Sequence, residues 1–185
     1  MKNKKKTIIN VLIIAFVLSF FVTPLGHFAK VFLDRLFAAT PQIIEESSRQ
    51  QLQTYEWKLK DSNWDYFNLE ISQGEVVFIN FWASWRLPCE AELKGIQEIH
   101  DEYKDKVDFY IITNEERQPV EEFMRLKKFT FPVTYLIIGE SAPFEILEPP
   151  GSYIIDNKGF IVVKEEDIAH WNTSKIRELL DNLVN

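Results

Sequence analysis

The sequence predicts an α/β fold, in which helices cover both faces of a central mixed sheet, with an apolar helix ahead of it. Two near-continuous apolar runs, at residues 76–83 and 107–113, are typical of strands that are buried on both faces. Each run is followed by a segment of helical periodicity, and a hairpin and a helix close the chain, which favours a mixed sheet. The uncharged stretch at residues 8–25 follows four lysines and is apolar on every side.

The predicted elements of the sheet domain follow one another in the order β-α-β-α-β-β-α. Apolar residues recur every three or four positions between Leu93 and Tyr103, which predicts a helix over residues 88–104. A second helix, over residues 119–128, begins with a proline, whose missing N–H costs little in a first turn. The other predicted elements are a short strand at 57–59, a weak element at 67–72, a strand or extended connection at 131–138, a hairpin of 151–156 and 160–164, and a last helix after the cap residues 172–174.

Composition and charge exclude several classes of protein. The chain has 185 residues, of which 46% are apolar and 14% aromatic, so it can bury a sizeable core and is not intrinsically disordered. The net charge is −7, and because residues 1–30 hold five lysines and no acid, the remainder carries 16 basic and 28 acidic groups. An acidic body repels a phosphate backbone, so we expect no nucleic-acid partner. The charged runs at 115–117 and 164–167 are predicted to be solvated faces.

Cysteine and histidine usage argues against a disulfide or a metal site. Cys89 is the single cysteine, which excludes an intrachain disulfide and a zinc site built from several thiolates. The three histidines, His27, His100 and His170, lie far apart and lack the spacing of metal ligands. We therefore predict no metal and no cofactor.

The N-terminus predicts a membrane anchor. The 18 residues at 8–25 form a short span at about 1.5 Å rise per residue, and the lysines before them place residues 1–7 in the cytoplasm. We expect residues 26–54 to be a juxtamembrane helix and linker, and residues 55–185 to be the folded domain, in the periplasm or an equivalent space. A cleaved signal peptide is the alternative, but Leu25-Gly-His-Phe-Ala29 lacks the small-residue cleavage pattern. We therefore predict a single-pass protein of the cytoplasmic (inner) membrane.

Two motifs, about 60 residues apart, together resemble one protein family. The second motif, at 148–162, fits P-x-[ST]-[FY]-x-I-D-x-x-G-x-I-V. The first motif, within 78–93, fits N-F-W-A-[ST]-W-C-x-P-C-x-A-E at Asn80, Phe81, Trp82, Ala83, Ser84, Trp85, Pro88, Cys89, Ala91 and Glu92. The chain thus resembles the TlpA-like thioredoxins, which are membrane-tethered bacterial thiol-disulfide proteins.

The resemblance implies a thioredoxin-like fold and a thiol-disulfide oxidoreductase whose partners are protein thiols and disulfides. It makes Pro150 the cis-proline that faces the cysteine site. It assigns substrate binding to Trp85, Pro88, Pro149 and Pro150. In the family, the backbone N–H before the cis-proline pairs with a bound peptide, and Pro149 has no such N–H to give.

The first cysteine of the family pattern falls on Arg86, so the C-x-P-C unit here is Arg86-Leu-Pro-Cys89. Dithiol exchange needs one thiolate that attacks and a second thiol that resolves the mixed disulfide, and only Cys89, at the resolving position, is present. Cys89 is either a thiol activated by Arg86 or a buried, inert residue. Arg86 either receives an acidic group of a partner or covers the Trp85 ring. Glu92, the third candidate catalytic residue, could relay protons or pair with Arg86.

Two function hypotheses follow from these departures. The first is a membrane-anchored thiol-disulfide oxidoreductase of TlpA type that is degenerate in dithiol exchange. The second is a redox-inactive binding or scaffold module, which holds an unidentified extracytoplasmic protein at the membrane. A disulfide reduction assay distinguishes the two.

Overall fold

The computed structural model of the protein describes residues 2–185, without the side chains at positions 2, 3, 20–22 and 25. Within these residues, the helices are α1 (Lys2–Val22), α2 (Pro24–Phe37), α3 (Leu87–Tyr103), α4 (Arg117–Lys127) and α5 (Ser174–Leu183). The strands are β1 (Lys58–Lys60), β2 (Tyr66–Asn68), β3 (Val76–Phe81), β4 (Val107–Thr113), β5 (Val133–Tyr135), β6 (Gly151–Ile155) and β7 (Ile161–Glu165). Short 3₁₀ turns lie at Glu46–Ser48 and Leu69–Ser72.

The strands form one mixed sheet in the order β2-β1-β5-β4-β3-β6-β7, which confirms the predicted sheet class. The pairs β3–β4 and β4–β5 are parallel, and all other neighbouring strands are antiparallel. The two predicted apolar runs supply the central strands β3 and β4, and every residue of β3 is buried. A strand with neighbours on both sides and cover on both faces has no polar side, which explains its continuous apolar sequence.

The prediction of helices on both faces of the sheet is wrong. Side chains of α3, α4 and α5 share one buried cluster with Phe78, Phe109 and Ile154 of the sheet. The cause is the order of the strands, because β3, β4 and β5 advance in one direction across the sheet. Parallel crossovers are right-handed, so two crossovers that advance in the same direction place their helices on the same face.

Irregular segments of the chain cover the opposite face. This second cluster joins sheet residues such as Ile79 and Phe81 to Leu69, Trp57 and Leu147. The indole of Trp57 contacts both Phe81 and Phe144, at ring-centroid distances of 6.4 and 5.4 Å. The segment between β5 and β6 is therefore a loop that packs on the sheet, and it ends with Pro149 and Pro150.

Helix α4 starts two residues before the predicted position. It begins at Arg117, with Glu116 as its N-cap residue, so Pro119 is its third residue. The first four N–H groups of a helix have no partner within the helix, so proline is tolerated there as well as at the first position.

The N-terminal apolar stretch is divided between two helices. Pro24 begins α2, and the side chain of Thr23 caps it by accepting a hydrogen bond from the N–H of Gly26 at 3.2 Å. The predicted anchor at 8–25 includes positions 20–22 and 25, whose side chains lie outside the described part of the chain. Among the described residues, no helix combines the length and the hydropathy that a bilayer span requires.

Residues 39–52, which we predicted as part of a linker, lie along the domain. The N–H of Ile44 donates to the carbonyl of Val162 at 2.8 Å, and the N–H of Leu52 donates to the carbonyl of Gly159 at 2.9 Å. The carbonyl of Gln50 accepts from Ile161 at 2.8 Å. These bonds cover the outer edge of β7, an edge that would otherwise present unpaired backbone groups.

We predict that a domain starting at residue 55 is less stable than one starting at residue 39. The shorter chain loses four backbone hydrogen bonds, the three above and the one from the N–H of His170 to the carbonyl of Ala39, which contribute about 1 kcal/mol each, together with the packing of Ile44 and Leu52. The free energy of unfolding in urea should fall by at least about 3 kcal/mol. Equal unfolding midpoints for the two chains would show that this segment contributes nothing.

Candidate functional site

The two sequence motifs meet at one end of the sheet. Strand β3 ends at Phe81, and the loop after it leads into α3. Strand β6 begins at Gly151, which pairs with Phe81 across the antiparallel ladder. The peptide bond between Pro149 and Pro150 is cis, as predicted. The chain therefore brings the loop before α3 and the proline pair to the same edge.

Cys89 is a buried thiol. It is the third residue of α3, and none of its surface is exposed to solvent. Burial raises the pKa of the Cys89 thiol to about 12, and the nearby carboxylates of Glu92 and Glu115 add to this. A backbone hydrogen bond from Ala83 and the charge of Arg86 lower the pKa but do not offset the burial. Since the thiolate is the nucleophile, the structure favours the inert alternative for Cys89.

Arg86 lies at the surface, next to an exposed tryptophan. It is the N-cap residue of α3, although its side chain makes no capping hydrogen bond. Its Cζ lies 5.7 Å from the centroid of the Trp85 ring, and its Nη1 lies 3.8 Å from Oε2 of Glu148. The Trp85 ring is exposed, so the guanidinium and the indole form a surface pair beside the proline loop.

Glu92 is buried and pairs with other groups than Arg86, so the predicted pairing is wrong. Its Oε1 accepts a hydrogen bond from Nδ2 of Asn80 at 2.7 Å. Its Oε2 accepts from the N–H of Ala169 at 3.1 Å and from Nε1 of Trp171 at 3.3 Å. Burial raises the pKa of Glu92 to about 8, although all three hydrogen bonds act to lower it. Burial therefore favours the protonated form of Glu92.

Asn80 links Glu92 to the neighbouring strand β6. The amide of Asn80 also donates to Oγ of Ser152 at 2.9 Å, while its buried Oδ1 has no hydrogen-bond partner among the described residues. The Nδ2 group thus supplies both of the hydrogen bonds that this side chain makes, one to α3 and one to β6.

Glu115 is a site residue that sequence reasoning missed, since it was predicted to be solvated. Its carboxylate accepts from the N–H of Ser84 at 2.6 Å and from Oγ of Ser84 at 2.7 Å. It thereby fixes the loop that carries Trp85 and Arg86. A signal was present, because Glu115 lies two residues after the end of β4, and the carboxyl ends of neighbouring parallel strands lie at one edge of a sheet.

The proline residues of the site have no backbone N–H, so they offer no hydrogen-bond donor to a ligand. Pro88 lies in the first turn of α3, where its missing N–H costs nothing. Pro149 borders a small cavity of about 130 Å³, which is also lined by Trp82 and Thr113. Within the described residues, no group of three His, Cys, Asp or Glu is placed to hold a metal ion.

Known proteins share this sequence pattern. Residues 51–164 match the model of the AhpC/TSA family. Thioredoxin-like protein YneN of Bacillus subtilis (strain 168) is 28% identical over 134 residues, which cover 70% of this chain and 77% of that protein. Thiol-disulfide oxidoreductase ResA of Bacillus cereus (strain ZK / E33L) is 33% identical over 98 residues, which cover 50% of this chain and 55% of that protein. The match thus spans little more than half the length of ResA.

Solved structures share the fold. A putative thiol:disulfide interchange protein DsbE from Chlorobium tepidum superposes with a TM-score of 0.61 at 17% identity, over 75% of this chain and 100% of that chain. A DsbF homologue from Corynebacterium diphtheriae superposes with a TM-score of 0.59 at 16% identity, over 78% of this chain and 92% of that chain. The fold is therefore thioredoxin-like.

We predict that Glu92 makes the protein less stable as the pH rises from about 4.5 to about 8. The ordinary pKa of this group is 4.5 and the folded value is about 8, so within this window the folded chain binds one proton more than the unfolded chain. Stability then falls by about 1.4 kcal/mol per pH unit from this group. Glu92→Gln should remove that slope, because its amide mimics the protonated acid.

Urea unfolding at several pH values measures this slope. Glu122→Gln removes an exposed carboxylate of α4 and is the matched control, which should keep the slope of the unmodified protein. An unchanged slope in Glu92→Gln would contradict the assignment of a proton to Glu92.

Proposed function

The chain belongs to the AhpC/TSA family, and from that premise we propose that it is a TlpA-type thioredoxin-fold protein that has lost dithiol exchange. It is similar to thiol-disulfide oxidoreductases over the sheet domain. In this proposal it is anchored in the membrane, its domain lies outside the cytoplasm, and it binds a protein partner there.

The buried, single cysteine carries the proposal. Reduction of a substrate disulfide begins when a thiolate attacks one sulfur and expels the other as a thiolate. A second thiol then attacks the mixed disulfide, releases the substrate and leaves a disulfide in the enzyme. In this chain Arg86 occupies the first position, and Cys89 has no surface exposure and a pKa of about 12. The first step therefore lacks its nucleophile, and the buried Cys89 cannot supply it.

The surface around Trp85 supports binding of a protein partner. An exposed indole beside an arginine is typical of the side chains that dominate protein interfaces. Glu148, whose side chain is 96% exposed, lies across from Arg86 and adds an acceptor. The hydrogen bonds from Ser84 to Glu115 hold the loop that carries Trp85 and Arg86 in one position. This surface favours the binding-module hypothesis over residual redox activity.

The proposed anchor rests on the N-terminal sequence and the exposure of its side chains. Four lysines precede the apolar stretch, and such a bias keeps that end in the cytoplasm. Apolar side chains of α1 that are largely exposed are Ile8, Ile9, Val11, Leu12, Ile13, Ile14, Phe16, Val17 and Leu18. An apolar surface of this extent requires a covering environment, and a bilayer supplies one.

We predict that the unmodified protein does not reduce insulin disulfides with dithiothreitol, while Arg86→Cys gains activity on the order of tenfold or more over background. The new thiol lies at the N-terminus of α3, where the helix dipole lowers its pKa, and one turn from Cys89. Adding Pro149→Ala restores a backbone donor for the substrate and should raise the rate further.

Arg86→Ser is the matched control, because it removes the guanidinium without adding a thiol, and it should stay inactive. Turnover by the unmodified protein that is abolished by Cys89→Ser would overturn the proposal. It would identify Cys89 as an accessible nucleophile.

We predict that alkaline phosphatase fused after Asn185 is active, because this reporter folds only outside the cytoplasm. Replacing Lys2, Lys4, Lys5 and Lys6 by Glu should lower its activity, since the charge bias sets the orientation. The same replacement at Lys104 and Lys106, which are exposed on the domain, is the control and should have no effect. A silent fusion of the native chain would refute the anchor.

A further inference from the structure

We propose that a groove between α2, α3 and the end of α4 binds the headgroup of an anionic phospholipid. The groove encloses about 520 Å³, a volume typical of small-molecule sites. Its apolar wall is formed by Phe28 and Val31 of α2 and by Phe129 after α4. This inference rests on the membrane part of the proposed function and is independent of its redox part.

Three cations that line the groove form no ion pair among the described residues. They are Arg35, Lys94 and Lys128. Such groups are placed to receive an anion, and a phosphate diester fits because several N–H donors can share its oxygens. This excess of positive charge is local to the groove, since the chain as a whole has a net charge of −7.

Two acids line the groove, against four cations that include Lys127. Glu90 accepts from Nζ of Lys127 at 2.5 Å and contacts Nε2 of His27 at 2.9 Å. Glu98 accepts a hydrogen bond from the side-chain amide of Asn172. The groove therefore keeps a net positive charge, which is complementary to an anionic headgroup.

The ion pairs of Glu90 with His27 and Lys127 hold the walls of the groove together. His27 lies on α2, Glu90 lies on α3 and Lys127 ends α4, so the cluster joins the three helices that make the walls. Helix α2 is thereby fixed to the domain next to the first turn of α3.

The surroundings of the groove favour a lipid over a soluble phosphate. Phe28, Phe32 and Leu36 are spaced by four residues along α2, and each is more than 60% exposed. Helical residues spaced in this way form one apolar stripe, which suits a helix at a membrane interface. The stripe borders the groove through Phe28, and it follows the apolar surface of α1. The stripe can contact an acyl chain while the cations bind the phosphate, and a phospholipid carries both groups.

The test is a calorimetric titration of the full chain in dodecyl maltoside micelles. Dioctanoyl phosphatidylglycerol is compared with dioctanoyl phosphatidylcholine, which has the same chains but no net charge. We expect the anionic lipid to bind at least about tenfold more tightly, because each basic side chain near a lipid surface favours anionic lipid. Equal affinities, or no binding of either lipid, would overturn the proposal.

Matched variants locate the site. Arg35→Gln with Lys94→Gln should remove the preference for the anionic lipid, whereas Lys104→Gln with Lys106→Gln removes the same charge elsewhere and should preserve it. A preference that survives the first pair would overturn the assignment to this groove. Inorganic phosphate that displaces the lipid at equal concentration would overturn it in favour of a soluble anion. None of these results depends on the reductase assay or the reporter fusion, so this proposal can fail while the proposed function stands.

Discussion

The buried carboxyl of Glu92 joins the parts of the fold on which the site depends. It lies on α3, bonds Asn80 of β3, and receives the backbone of Ala169 and the indole of Trp171 from the segment before α5. Without an acceptor at this point, several buried donors would lose their partner, and each unsatisfied group costs about 1–3 kcal/mol. Burial raises the pKa of this carboxyl to about 8, against the effect of the three hydrogen bonds, so the interaction that joins these parts depends on pH.

The same edge of the sheet combines a cis-proline, the start of a helix and a buried cysteine, with an arginine where the family pattern has its first cysteine. Cys89 is held in the first turn of α3, where a dipole favours a thiolate, yet burial outweighs that effect. Arg86 precedes the helix at a position where a cation is disfavoured by the dipole, by about 0.3–1 kcal/mol. Its contacts with Trp85 and Glu148 hold the charge at the surface. These surface contacts offset the unfavourable dipole.

The distribution of helices has consequences for both proposed surfaces. With α3, α4 and α5 on one face, the loop between β5 and β6 closes the other face and ends at Pro149. Helix α2 packs on the side of α3 that faces away from the sheet, where His27 of α2 contacts Glu90 of α3. The proposed partner surface at Trp85 precedes α3, and the proposed groove at Lys94 lies along the middle of the same helix. In the two proposals, one helix thus serves both surfaces.

The sequence alone determined the elements whose signals are local. The apolar runs of β3 and β4 needed no partner to be recognised, and a single cysteine excludes a dithiol wherever it lies. The motif around Pro150 identified the cis-proline by resemblance. Long-range packing decided the rest. The face on which α4 lies follows from strand order, the position of residues 39–52 follows from bonds to a strand over 100 residues away, and the partners of Glu92 and Glu115 come from separate strands and helices. A sequence pattern shows that a side chain is polar or apolar, but its pKa and its partner depend on which distant groups the folded chain brings to it.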